Sequence, residues 1–268
     1  MKLLFLGTGG AMPTPRPFCQ CETCKKARTI GAPYKRNSSS LFIKDINTVI
    51  DCGEDIASSL NRENIKKVEN LLITHWHPDH TFGLRAIIEA NFNFRTGKPN
   101  QVINLYIPKR VYIMLKEKYP SIDYFIYGQK TAKLHLIEDN QELKFKNITI
   151  IPIGFTGKNS ETYGYLLKEK GKKILYSPCD TIGFKNYKNQ KQLDLWISEC
   201  GLFSKVSTEI SFEEATRRIK EIKPKKVIFT HIEEIETNIW KEKHFLDQKK
   251  KYPDIVFEYA KDGQIVNI

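Results

Sequence analysis

The stretch Thr74-His75-Trp76-His77-Pro78-Asp79-His80-Thr81 gathers three of the chain's six histidines and one carboxylate within six residues. Neutral imidazole and carboxylate suit borderline divalent metals such as zinc, iron or manganese. Just upstream, Val68 to Ile73 is an apolar run of strand length and composition. Just downstream, Leu84, Ile87 and Ile88 recur at helical spacing. The cluster is therefore expected on a turn between a buried strand and a helix. A turn can bend four side chains toward one point, whereas a straight strand sends alternate side chains to opposite faces. Pro78 is expected to hold Asp79 and His80 out of helical geometry until the helix begins.

His75, His77, Asp79 and His80 match the pattern H-x-H-x-D-H, and on these residues the chain resembles the metallo-β-lactamase superfamily of hydrolases. The resemblance runs from the first strand to the last. It implies an α/β four-layer αββα sandwich, one domain spanning residues 1–268, with one or two metal ions at the edge of its two sheets. It also implies two further ligands. Asp180 ends the strand-like run from Ile174 and stands where the family's Asp bridges the two metals. His231 ends the strand-like run from Pro224. One ion would then take Asp79, His80, Asp180 and His231, and the other His75, His77 and the shared Asp180. The family's loop histidine, placed ahead of Gly164-Tyr165, has no counterpart, because no histidine occurs between His135 and His231. Solvent or another residue would stand in for it. Lys158, in that same loop, is a candidate anion contact. Asp51 stands where the family's Asp braces the metal loop, and a carboxylate there can fix an imidazole tautomer.

Of the six cysteines, Cys19, Cys21 and Cys24 are clustered, which reads as metal binding more than as a disulfide framework. Three thiols can wrap a tetrahedral zinc, but a closed structural site needs a fourth ligand. The Cys-rich loop insertion at 13–36 is similar to one in the cyclic phosphodiesterases of bacterial phosphonate breakdown. That resemblance implies a structural zinc completed three residues after the last active-site histidine, which here is Glu234. It also puts Glu209 where that family carries a substrate-site histidine. Ser211 with Glu214 fits a helix capping box, which explains both residues structurally. Tyr176-Ser177-Pro178-Cys179 and the Cys loop resemble the pyrroloquinoline quinone biosynthesis B proteins.

The 268 residues carry no Pro/Gly/Ser-rich linker and no internal repeat, and their 40% hydrophobic content is ordinary. No apolar run reaches the length of a membrane span, and Met1 to Leu6 is too short for a signal peptide, so no membrane partner and a cytoplasmic location are expected. Gly7-Thr8-Gly9-Gly10 lacks the G-x-G-x-x-G spacing and a following long helix, which excludes a dinucleotide site. The net charge of +12 favours anionic partners, either small phosphates or nucleic acid. Lys249 to Lys251 reads as an exposed helix face. Tyr259 to Ile265 resembles the family's closing hairpin, His135 and His244 read as packing or surface residues, and a homodimer is one expected assembly.

Two divalent ions, zinc or manganese, one of them weakly held, would lower the pKa of a bound water to give hydroxide near neutral pH. Asp79 would orient that hydroxide or shuttle a proton. The leading expectation is a phosphodiesterase acting on a small cyclic or nucleotide-like phosphate. Two other readings stay open: a tRNA-processing-type nuclease, and a non-catalytic carrier or cofactor-biosynthesis protein with a degenerate metal site.

Overall fold

A computed structural model describes residues 1–157, 159–204, 209–240 and 242–268. The chain opens with β1 (Lys2–Gly7), α1 (Glu22–Thr29), β2 (Ser40–Ile43), β3 (Thr48–Ile50), α2 (Ile56–Arg62) and β4 (Asn70–Leu72). Then come α3 (Pro78–Thr81), α4 (Leu84–Ile88), the small hairpin of β5 (Phe92–Asn93) and β6 (Lys98–Pro99), β7 (Ile103–Pro108), α5 (Lys109–Lys118) and β8 (Ala132–Ile137). The second half has β9 (Leu143–Phe145), β10 (Ile148–Gly154), β11 (Tyr163–Glu169), β12 (Lys172–Ser177), β13 (Leu195–Glu199) and α6 (Phe212–Ile222). It ends with β14 (Val227–Thr230), α7 (Glu234–Ile239), α8 (Glu242–Lys251), β15 (Phe257–Tyr259) and β16 (Ile265–Asn267).

Two seven-stranded sheets result, ordered β16-β1-β2-β3-β4-β7-β8 and β15-β14-β13-β12-β11-β10-β9. Alternation along the strands produces the four layers. In β1, Leu3 and Phe5 point between the sheets and meet Tyr165, Leu167, Ile174 and Ile197 from the other sheet. Leu4 and Leu6 point the opposite way, onto Ile56 of α2 and into the core under Leu84 and Ile88 of α4. On the far side, Leu175 and Trp196 pack against Ala215 and Ile219 of α6. Each sheet therefore buries both faces, which explains strands that are apolar nearly throughout. Among the described residues no helix is long and apolar enough to cross a membrane.

Within this frame β3, β4 and β7 run parallel, as do β12, β13, β14 and β15. Carboxyl ends of parallel strands are where open α/β sheets gather ligand-binding residues. The fold departs from the sequence reading in two places. Pro78 occupies the first turn of α3, so Asp79 and His80 are helical; proline lacks only an N–H that a first helical turn leaves unbonded anyway. The C-terminal segment is not a hairpin, because β15 pairs with β14 in one sheet and β16 with β1 in the other. The turn between them carries Asp262, which accepts from the Thr8 hydroxyl at 2.8 Å and from the Asn37 N–H at 2.8 Å. It crosses between the sheets and pins the Gly-rich turn after β1. His135 stacks on Tyr106 and His244 on Trp240, as packing residues do, and Lys249 to Lys251 are exposed on the last turn of α8.

Candidate metal centre

Asp51 leaves β3, His75 follows β4, Asp180 follows β12, and His231 follows β14, all at carboxyl ends of parallel strands. Asp51, Asp180 and His231 sit in the left-handed region at φ of 63°, 54° and 52°. Each such non-glycine conformation costs about 1–2 kcal/mol, and three at one point mark a site that the surrounding fold must hold. Gly53 makes the close approach possible, since a Cβ there would lie 2.5 Å from the carbonyl oxygen of Asp79.

Asp51 is completely buried and organises the loop. It accepts from the Thr74 N–H at 2.8 Å, the Thr74 hydroxyl at 2.7 Å and His80 Nδ1 at 2.8 Å. With its hydroxyl hydrogen given to Asp51, Thr74 accepts from His75 Nδ1 at 2.9 Å. The network therefore assigns the Nδ1–H tautomer to His75 and Nδ1 donation to His80, leaving both Nε2 atoms facing the centre. His80 is fully buried, yet its Nε2 has no hydrogen-bond partner of good geometry. Buried polar atoms are rarely left so, and one aimed into a cluster of ligands is what a metal site requires.

Two ligand sets stand side by side. In the first, His75 Nε2 is 3.1 Å from His77 Nδ1, and each lies 3.7 Å from Asp180 Oδ2. In the second, Asp79 Oδ2 is 3.1 Å from His80 Nε2 and 3.3 Å from His231 Nε2. With metal–nitrogen and metal–oxygen bonds of about 2.0–2.1 Å, tetrahedral ligands are separated by roughly 3.3 Å. The donors therefore fit divalent ions in type and spacing. Asp180 groups with His75 and His77, whereas the resemblance has it shared by both ions. A thiol that the sequence reading did not single out as a site residue, Cys179, lies within 4.8 Å of the ligand atoms of both His75 and His80.

The electrostatics agree with a site built for a cation. Burial, with His80 and His77 nearby, holds His75 well below the usual imidazole range, so it is neutral as a ligand must be. Burial also opposes charge on His80, but Asp79 and Asp51 outweigh it and raise its pKa well above normal. Burial works against the Asp79 carboxylate, yet His80 and His231 pull its pKa far down. Without metal, protons on His80 and His231 balance the neighbouring carboxylates.

Around His231 lies a carboxylate rim. Glu233 Oε1 is 3.3 Å from His231 Nδ1 and accepts the Ala11 N–H at 3.0 Å. Glu199, buried at the end of β13, accepts from the Thr181 N–H at 2.9 Å and hydroxyl at 2.7 Å, which fixes the turn carrying Asp180. Sequence reasoning missed both, although Glu199 ends its strand just as Asp180 ends its own. Glu209 faces Glu199 and His231; burial first, then Glu199, push it up to about 8. Ser211 caps α6 through the Glu214 N–H at 3.1 Å, but the Glu214 carboxylate turns to Arg217 and Arg218, so only half of the capping box forms. Lys158 lies outside the described residues.

The raised pKa of Glu209 has a consequence for stability. Between 4.5 and about 8 the folded chain keeps a proton that the unfolded chain releases. That contribution is complete below 4.5 and is lost as pH rises through 8. Glu209→Gln stays neutral, so in the metal-free chain its melting temperature relative to the parent should be higher at pH 8 than at pH 5. Thermal melts at the two pH values check this, and an unchanged offset would contradict it.

At the start of α7, Glu234 Oε1 lies 3.5 Å from Cys19 Sγ, 3.6 Å from Cys21 Sγ and 3.3 Å from Cys24 Sγ. A tetrahedral zinc with Zn–S of about 2.3 Å and Zn–O of about 2.0 Å would separate sulfur and oxygen by roughly 3.5 Å. All six cysteines are free thiols.

Residues 46–232 match the family model described as beta-lactamase superfamily domain. The chain belongs to this superfamily. Ribonuclease Z of Picrophilus torridus is 30% identical over 195 residues, covering 70% of this chain and 54% of that protein. The chain thus spans about half the length of the curated relatives it matches. Among solved structures, a new diphosphatase from the PhnP family superposes with a TM-score of 0.75 at 21% identity, covering 99% of this chain and 96% of that one. Zn(2+)-bound PqqB from Methylobacterium extorquens superposes at 0.76 and 15% identity over the whole of both chains. At these identities the superpositions establish the fold, the four-layer metallo-β-lactamase sandwich.

Proposed function

We propose that this superfamily member is a metal-dependent hydrolase of phosphodiesters, acting on a small cyclic or nucleotide-like phosphate. The observation that carries the reading is the pair of ligand sets at near-tetrahedral spacing, with a buried imidazole nitrogen that makes no hydrogen bond of good geometry. Zinc or manganese held by His75, His77 and Asp180, and by Asp79, His80 and His231, would supply Lewis acidity and a lowered water pKa. The chain's own residues do the rest. Asp51 and Glu233 orient His80 and His231. Asp79, kept ionised, is placed to orient an attacking water by accepting its hydrogen bond. Glu209, protonated at neutral pH, offers a hydrogen-bond donor to a substrate oxygen. Lys158 belongs to the proposal as an anion contact, and Cys19, Cys21, Cys24 and Glu234 as a structural zinc site.

The tRNA-processing-type nuclease is the second reading, favoured by relatives named ribonuclease Z and by the charge of +12. A parallel assay of ribose cyclic phosphodiesters and a precursor tRNA with a 3′ trailer separates the two. Turnover of the small diesters with intact tRNA supports the first reading, and trailer removal without small-diester turnover overturns it.

The two ligand sets differ in exposure: the side chains of His77 and Asp180 are 38% and 29% exposed, while Asp79, His80 and His231 are buried. The exposed set should surrender its ion first. Stepwise chelation followed by metal analysis should show one ion leaving before the other, with activity restored on adding it back. Simultaneous loss at one affinity would contradict this.

A further inference from the structure

We propose that Cys179 supplies a thiolate ligand to the metal centre, from a position between the two ligand sets; this rests on the metal-binding reading above. Its Sγ and the ligand nitrogens of His75 and His80 lie within 4.8 Å of one another, and it also faces His231. His75 belongs to the first set and His80 and His231 to the second, so the sulfur lies near both. Consecutive residues in an extended strand point to opposite faces. Here the left-handed backbone at Asp180, held by Glu199 through Thr181, turns the carboxylate and the preceding thiol toward one centre.

A buried cysteine usually acts as a small apolar side chain. Cys179 differs, because the imidazoles of His75, His80 and His231 stand around its sulfur. An independent observation points the same way: Nε2 of buried His80, which makes no hydrogen bond of good geometry, is aimed into the space shared with this sulfur. Thiolate is a strong ligand for zinc, and a sulfur here supplies a donor that the loop after β10 lacks, where no histidine is present. On binding, the thiol gives its proton to solvent and its sulfur forms the bond to the ion.

Cobalt(II) substitution of the full chain tests the assignment, because thiolate–cobalt bonds give a near-ultraviolet charge-transfer band that imidazole and carboxylate do not. The parent should show the band from the loop thiols and Cys179 together. In Cys179→Ala the band should fall by about a quarter, the share of one thiolate among four. Cobalt at the histidine centre should be held less tightly against a chelator. Cys179→Ser, closer in size, gives the same reading should the alanine variant fail to fold. An unchanged band with the cobalt content retained overturns the proposal. A parent chain that binds no cobalt beyond the loop ion overturns the metal-centre reading and this inference with it.

Discussion

Asp79→Asn should lower turnover by at least about 10²-fold while leaving the fold intact. Asp79 is buried and its Oδ2 touches two ligand nitrogens at once, His80 at 3.1 Å and His231 at 3.3 Å. An amide keeps the shape and one acceptor but loses the charge that holds a cation. The stability cost should stay near 1 kcal/mol, since a hydrogen-bond acceptor remains. His80→Ala is the less clean test: His80 is also the partner of Asp51, and its loss leaves that buried carboxylate short of a donor. It should cost about 1–3 kcal/mol besides activity. Steady-state kinetics with added metal, read beside thermal melts, check both. Full activity of Asp79→Asn would remove Asp79 from the chemistry.

Replacing Cys19, Cys21 and Cys24 together by Ser should remove about one zinc per chain and loosen the N-terminal loop. The three thiols and Glu234 tie that loop to α7, as does the Thr23 hydroxyl donating to the Thr237 carbonyl at 2.9 Å. Cys21 also caps α1 by accepting the Cys24 N–H at 3.3 Å, which places two thiols on one turn. Without zinc the pocket buries Glu234 against three thiols, with Arg16 3.9 Å away as its cation. Elemental analysis should register the lost ion, and limited proteolysis should cut within residues 13–36 of the variant faster than in the parent. Unchanged zinc content would reject the structural site. Glu234→His should retain the ion, whereas Glu234→Ala should weaken it.

The H-x-H-x-D-H run was legible because the chemistry lies within six consecutive residues, and a local pattern survives in one dimension. Strand positions were legible because apolar runs such as Leu3 to Leu6 have two buried faces to fill. What the sequence hid depends on contacts across the chain. Glu233 matters because Ala11, 222 positions away, donates to it and His231 stacks beside His80. Cys179 matters because a left-handed residue follows it, and no local signal at an Asp-Thr pair announces that backbone. The C-terminal hairpin was expected from the resemblance of Tyr259 to Ile265 to the family's closing hairpin; the placement of β1 and β14 in different sheets separates its two strands. Pro78 misled for a simpler reason: a proline that ends one helix can equally begin another.

The central claim is that the gathered histidines and carboxylates bind divalent metal to hydrolyse phosphodiesters. The direct measurement is turnover of bis-p-nitrophenyl phosphate by chelator-stripped chain, before and after adding zinc or manganese, with metal content determined on the same samples. No turnover is expected when stripped, and turnover should return with metal and stay absent in Asp79→Asn. Metal bound at the centre without turnover of this or any tested diester would contradict it, and would favour a non-catalytic protein with the same fold.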